Sequence, residues 1–420
     1  MTDVFRAKAI FGLMVVFFGL LADVAQAVPP CRYTVETIIG PPCGPNDNAH
    51  IRVRAINEAG HVVGAYECPG GQPRPFKWSP EGGFQALPLP PGYPNGVAVD
   101  IADDGVILGT TAPITSPSTG YLWDGQSFQV FGTMPGGFFS DAAAMNNDHL
   151  ATGFWGNSGS GPGEAAFRWN AGVMENVASD LIFGGSRAFD ISENGLITGY
   201  MGGTTFPPNY RAFIWNNGKV TDLGLRLPGA LASEARAVTN KGEACGIWHQ
   251  KTDSAPGYRV RGFHWDGEVM TDLFSGLNPG AIALDMNVSN QIIGHFLGPY
   301  PQGGPPVVWD DHRPYPIQSL MDTALPLSLQ AAVAINGAGQ IACDGFLYPT
   351  GPDVGVLLTP VWPAAGDTNC DDIVNVDDLL GVINHWADDG GREDLNDDGV
   401  VNSEDLMEVF AHWANLEVAS

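Results

Sequence analysis

Residues 187–200 read RAFDISENGLITGY, residues 201–210 MGGTTFPPNY and residues 211–229 RAFIWNNGKVTDLGLRLPG, and most of the chain is a set of variations on this stretch. Two short apolar runs flank the turn Ser192-Glu193-Asn194-Gly195. Two more flank Asn217-Gly218, a pair whose residues both tolerate positive φ and so close a two-residue hairpin. One unit is therefore four short strands.

Aligning every unit on its first turn puts Gly60, Gly105, His149, Gly195, Gly242, Asn290 and Gly339 in one column, 44 to 49 residues apart. A turn position with positive φ asks for Gly, with Asn as the best substitute. Four residues later a second column holds Gly64, Gly109, Gly153, Gly199, Gly246 and Gly294, with Cys343 in the last copy. Gly inside a strand marks a bulge or the close approach of another backbone. A third column, Trp78, Trp123, Trp169, Trp215, Trp265 and Trp309, reads as packing within and between sheets.

Four strands repeated about every 45 residues predict an all-β, seven-bladed β-propeller over residues 28–361. The seventh copy has only three strand-like runs, at 332–335, 340–346 and 354–361. Residues 33–39, YTVETII, have strand composition and precede the first full unit, so they are expected to complete the seventh blade and close the ring.

The composition agrees. Gly (55) and Pro (33) are abundant and only 15% of residues are charged, while 11 Trp and 21 Phe supply more apolar surface than a disordered chain carries. A net charge of −27 excludes a nucleic-acid binder built on a basic face and disfavours anionic membranes. Residues 1–27 read as a signal peptide: Arg6 and Lys8, an apolar run from Ala9 to Leu21, and the small-residue cleavage motif Ala25-Gln26-Ala27. That run falls short of the roughly 20 residues that cross a bilayer, so no membrane span is expected and the product is secreted: extracellular, at the cell surface or in the periplasm. The six cysteines fit disulfides in such a compartment, with Cys43 paired to Cys31 or to Cys68, and Cys245 and Cys343 buried as small hydrophobes.

The motifs RAFIWNNGKVTDLG, RGFHWDGEVMTDLF and AINEAGHVVG resemble the HAF-type extracellular repeat family, with Arg211 or Arg261 in place of the His of its triplet. The resemblance spans residues 52–361. It implies secreted, propeller-like proteins and supplies no activity.

Two constellations on the propeller carry candidate chemistry. The long loops after each second strand share a face with the connections between blades, while the tight hairpins lie on the other. Trp155, Phe206, Tyr210, Trp248, His249, Tyr258 and Tyr300 fall on those loops or beside them. They form either an aromatic face for a glycan or peptide, or packing between neighbouring loops. Five residues before the turn column the copies read Ala55, Asp100, Ala144, Asp190, Ala237, Asp285 and Ala334. Carboxylates in every second blade could bind a cation or act as acid and base; alternatively they accept neighbouring main-chain N–H groups, which is the reading adopted.

Beyond a linker at 362–366 the composition changes. Residues 364–420 hold 15 Asp or Glu against one Arg, and repeat at an offset of 27: DTNCDDIVNVDDLLGVINHWA, then DLNDDGVVNSEDLMEVFAHWA. Oxygen-bearing residues at positions 1, 3, 5, 7, 9 and 12 of a loop wrap calcium. The first set is Asp367, Asn369, Asp371, the carbonyl of Ile373, Asn375 and Asp378; the second is Asp394, Asn396, Asp398, the carbonyl of Val400, Asn402 and Asp405. Each loop leads into an amphipathic helical run.

This tail, 367–420, resembles a type I dockerin, a small α-helical, EF-hand-like module. The resemblance implies two Ca2+ ions and docking to a cohesin-like or cell-envelope partner. Its docking positions fall on Val376 and Asp377 and on Ser403 and Glu404, which differ from each other and from the usual hydroxyl-rich pair. Position 6 of the first loop is Asp372, where the left-handed backbone normally takes Gly. The sequence as a whole reads as a non-enzymatic binding or scaffold protein; the alternative is a polysaccharide hydrolase or lyase on the same fold.

Overall fold

The computed structural model describes residues 30–416 apart from 45–46, 112–116, 158–163, 178–183, 203–208, 254–257, 274–279, 298–303, 311, 322–325, 349–350, 388–392 and 397–399. The signal-peptide reading, Phe206, Tyr300 and Asp398 lie outside these residues.

Strand pairing builds seven four-stranded antiparallel sheets, with one small two-stranded sheet between Pro42–Gly44 and Asp47–Asn48. Six sheets run in simple sequence order. Blade 4, for instance, is Ser186–Ile191, Ile197–Met201, Arg211–Asn216 and Lys219–Asp222. Its last hairpin pairs Asn216 with Lys219 across Asn217 (φ 44°) and Gly218 (φ 87°), the mirror-image turn that suits the twist of two strands.

The seventh blade joins Leu327–Ile335, Ile341–Leu347 and Asp353–Val361 to an outer strand from the start of the chain, Arg32–Ile38. The register runs from Arg32 opposite Val361 to Ile38 opposite Gly355. The expected closure of the ring by this segment is therefore observed, and with it the count of seven.

All seven members of the turn column have positive φ, including His149 and Asn290, both at 60°. The second column meets a bulge in every blade. Ala188 pairs with Gly199, Phe189 is skipped, and Asp190 pairs with Thr198; the same shift recurs in each first strand. A Cβ on Gly199 would overlap the main-chain oxygen of Arg187, so the close approach excludes any side chain there.

The cores lie between blades. Ala144 and Ala166 of blade 3 pack with Ala188, Ile191, Phe213 and Trp215 of blade 4, and Ala212, Ile214 and Leu223 meet Ala235, Phe263 and Trp265 of blade 5. The Trp column sits in these layers, buried except for half-buried Trp123. Cys43 is bonded to Cys68, one of the two pairings expected for it. Cys31 and Cys370 are also disulfide-bonded, and Cys245 and Cys343 are free and buried.

By contacts the chain divides into Pro30–Trp362 and a second unit that includes Pro363–Ser420. The second unit contains the helices Val376–Asn384 and Ser403–Leu416 over a core of Val374, Val382, Leu395, Val401 and Val409. Among the described residues no helix is long and apolar enough to cross a membrane.

Two outcomes test this architecture. Gly199→Ala should lose about 1–3 kcal/mol of stability through overpacking, read by denaturant unfolding. A chain that begins at Ala49 should melt well below the full chain, because it exposes the edge of Asp353–Val361 and loses buried Tyr33 and Ile38. Equal melting temperatures would contradict the closure.

Candidate functional site

The alternate-blade carboxylates meet at the axis. Asp100, Asp190 and Asp285 border one cavity of about 220 Å³, with Glu58, Asp103 and Glu193 at its edge. Each spends both oxygens on main-chain N–H groups. Asp100 Oδ1 accepts from Ile101 (2.8 Å) and Oδ2 from Met145 of the next blade (2.7 Å). Asp190 accepts from Ile191 (2.8 Å) and Val238 (2.8 Å), and Asp285 from Met286 (2.8 Å) and Ile335 (2.9 Å).

Desolvation by the surrounding ring pushes these carboxyls up, Asp100 to about 7, Asp190 to about 6 and Asp285 to about 8. The N–H bonds oppose that rise. Asp190 and Asp100 add repulsion at Asp285. The geometry is that of ties between blades, with each carboxylate already committed to two donors.

The loop face assembles part of the expected aromatic set. Tyr210 Oη lies 3.0 Å from His249 Nε2, and the His249 ring lies 4.9 Å from Tyr258. Tyr200, which the sequence reading missed, extends the row with its ring 4.9 Å from Tyr210. Burial pushes His249 down and Tyr210 up, so the pair is a neutral imidazole and a phenol at neutral pH. Trp248 does not join them. Successive strand residues point to opposite faces, and Trp248, 2% exposed, packs in the core between blades 4 and 5. Trp155 is half-buried, packs against the core between blades 2 and 3, and donates from Nε1 to Asn176 (2.7 Å).

Beside the row, two arginines stack on rings. Arg187 lies 4.1 Å from the centroid of Phe154 and pairs with Glu164; Arg236 lies 4.3 Å from Phe189 and pairs with Glu234. Arg187 recurs as Arg52 at the same place in blade 1, a column the sequence offered and the reading did not use.

In the tail, the described residues of the two loops share a set of hydrogen bonds. Asp378 Oδ1 accepts from Thr368 (2.8 Å) and Asn369 (3.2 Å), and Oδ2 from Asn375 (2.8 Å). Asp405 repeats this with Leu395 (2.7 Å), Asn396 (3.2 Å) and Asn402 (2.7 Å). In the first loop Asp367 accepts from Cys370, Asp371 and Asp372, Asn369 from Asp371, and Asp371 from Ile373, while Asn375 Nδ2 donates to the Ile373 carbonyl. Asn402 donates likewise to the Val400 carbonyl (2.8 Å).

Asp372 takes φ 66°, the left-handed backbone expected at that position. Asp367, Asp378, Asp394 and Asp405 are buried. Burial, with Asp378 nearby, pushes Asp367 up. Among the described residues no three His, Cys, Asp or Glu side chains converge closely enough to hold a metal alone. Val376, Asp377, Ser403 and Glu404 are exposed.

No family model matches this chain, and no curated protein matches it. Among solved structures it is similar to a catalytically inactive virginiamycin B lyase from Staphylococcus aureus with quinupristin, at 10% identity and TM-score 0.48 over 78% of this chain and 100% of that one. The β-propeller domain of the trilobed protease from Pyrococcus furiosus matches at 10% identity and TM-score 0.49, over 73% of this chain and 93% of that one. A PL25 ulvan lyase matches at 10% identity and TM-score 0.40, over 76% and 95%. Likeness at this level carries no argument about chemistry; the seven-bladed propeller rests on the chain's own strand pairing.

The axial carboxyls predict a pH dependence. An unfolded carboxyl titrates near 3.8 and folded Asp285 near 8, so its contribution to stability is full below about pH 4 and is lost as pH rises through 8. Asp285→Asn should cost about 1–3 kcal/mol at acidic pH, because the amide nitrogen cannot accept one of the two N–H groups. Its melting temperature should then change less than the wild type's from about pH 5 to 9; parallel profiles would contradict the desolvated carboxyl.

Proposed function

We propose that this is an exported two-module binding protein, in which the propeller presents a ligand- or partner-binding face and a dockerin-like, calcium-loaded tail attaches it to a protein partner. The observation that carries this reading is the duplicated loop, in which buried Asp378 and Asp405 gather the same three main-chain N–H groups at the same positions. A disordered acidic tail would not repeat such an arrangement.

The donor set fits calcium. Asp367, Asn369, Asp371, the Ile373 carbonyl, Asn375 and Asp378 offer only oxygen, and the second loop offers the equivalent set with Asp398 completing it in sequence. The mixture of carboxylate, amide and main-chain oxygen is what a hard cation of high coordination number takes, and it need not include three clustered acids. Calcium, when bound, neutralises the buried carboxylates and ties the loop to its helix. Asn375 and Asp378 already cap the first helix by a reciprocal pair of hydrogen bonds.

The same helices leave an apolar stripe in solvent. Val376, Leu380 and Ile383 on the first helix are 49%, 46% and 46% exposed, and Met407 and Phe410, one repeat later, are 63% and 44% exposed. Such a stripe on a small acidic module supports docking to a cohesin-like or cell-envelope protein through an apolar patch. Disulfide-bonded cysteines support an oxidising, exported location.

An enzymatic reading, a polysaccharide hydrolase or lyase, draws on the Tyr210–His249 pair, a potential acid and base on the loop face. It gains nothing from Asp100, Asp190 or Asp285, whose oxygens are engaged. Cleavage of any polysaccharide in a broad panel by the full chain, lost in His249→Ala with folding intact, would favour the enzyme.

The calcium reading predicts that chelation lowers the helical circular dichroism of the full chain and introduces an early unfolding step, both reversed by added calcium. Asp371→Ala, at an exposed donor, should shift the calcium midpoint about tenfold, or about 1.4 kcal/mol. Spectra and unfolding that ignore calcium would overturn the reading.

A further inference from the structure

A cavity of about 560 Å³ opens beside the first strand of blade 1, lined by His50, Arg52, Arg54, Tyr66, Glu67 and Asp353. The loop that begins at Cys68 forms another wall, and Cys68 is fastened by its disulfide to Cys43. The volume is that of a small-molecule site.

The charges on this wall are not all used by the fold. Asp353 receives Arg52 at 2.7 Å and His50 at 3.2 Å. Arg54 is the residue skipped by the blade-1 bulge, between Val53 and Ala55, and among the described residues no hydrogen bond or ion pair engages it. Its equivalent in blade 5, Arg236, pairs with Glu234 and lies on Phe189. Asp344 feels the charge of Arg52 and Arg54, but its Oδ1 accepts the Val53 N–H at 2.8 Å. The same bulge position therefore holds one arginine in an ion pair and one that, among the described residues, makes no hydrogen bond or ion pair.

We propose that this cavity binds a carboxylate-bearing sugar, with the carboxylate on Arg54. A guanidinium meets a carboxylate through two parallel N–H bonds. Glu67 and Asp353 accept hydrogen bonds from sugar hydroxyls, and Tyr66, Pro69, Pro73 and Val97 offer apolar surface to the ring. The net charge of −27 repels long polyanions, so the ligand is a short uronate. This deepens the reading of the propeller as a ligand-presenting module and owes nothing to the calcium loops.

Calorimetric titration of the full chain with a galacturonate disaccharide tests it, against lactose and inorganic phosphate as neutral and sugar-free controls. The uronate should bind at least about tenfold more tightly than either, weaken as salt rises, and lose about tenfold in Arg54→Gln. Arg54 is exposed and, among the described residues, held by no hydrogen bond or ion pair, so that variant should melt close to the wild type. Equal binding of lactose or of phosphate, no uronate binding, or an unchanged affinity in Arg54→Gln would overturn the proposal. None of these outcomes bears on the calcium titration, which reads the other module.

Discussion

The main-chain N–H groups of the buried innermost-strand residues Met145, Val238 and Ile335 need acceptors, and the propeller depends on how that need is met. An unpaired buried N–H costs about 1–3 kcal/mol, and every blade repeats the problem. Asp100, Asp190 and Asp285 answer it by reaching from one blade to the first strand of the next. The carboxyls are desolvated in doing so, and their raised pKa values are the cost of that role.

Alternation cannot run evenly around an odd ring. The three Asp side chains join blade 2 to 3, 4 to 5 and 6 to 7, which leaves blade 1 without such a tie. Its seam with blade 7 uses other groups. Val53 N–H reaches Asp344, Asn336 Nδ2 donates to the Asn57 carbonyl at 3.0 Å, and Gly337 N–H donates to Glu58 at 2.8 Å. Asn57 in turn donates to Ala102 of blade 2 at 3.1 Å, so the turns link hand to hand across the seam. Arg54, which no hydrogen bond or ion pair engages among the described residues, lies on the first strand of this irregular blade, where the Val53 N–H, like that of Ala142 in blade 3, takes its acceptor from a neighbour's second strand.

Much of this was legible in the chain because repeats turn backbone demands into columns. Positive φ at seven turns, the bulges opposite the second glycines, and the missing fourth strand that 33–39 supplies are all written in the sequence as columns or gaps. Side-chain direction was less legible. Trp248 and His249 are adjacent on one strand, and only the pleat sends Trp248 into the core and His249 toward Tyr210. The pairing of Asp100 with Met145, and the wall that the Cys43–Cys68 bridge adds beside Arg54, depend on segments far apart in sequence or on a disulfide that local pattern leaves open.

The closing strand sets a condition on how the molecule is made. Thr34 faces Thr359 across a separation of 325 residues. The first strand to leave the ribosome is therefore the last to find its partner, and six blades can stack before the ring has a seam to close. Until then Arg32–Ile38, with Tyr33 and Ile38 still to be buried, is a strand without a sheet, and Asp353–Val361, once formed, is a sheet without its edge. Two nascent copies held close together could satisfy each other's edges before their own, which makes slow synthesis, or a chaperone that holds the leading strand, the natural protection against exchanged dimers.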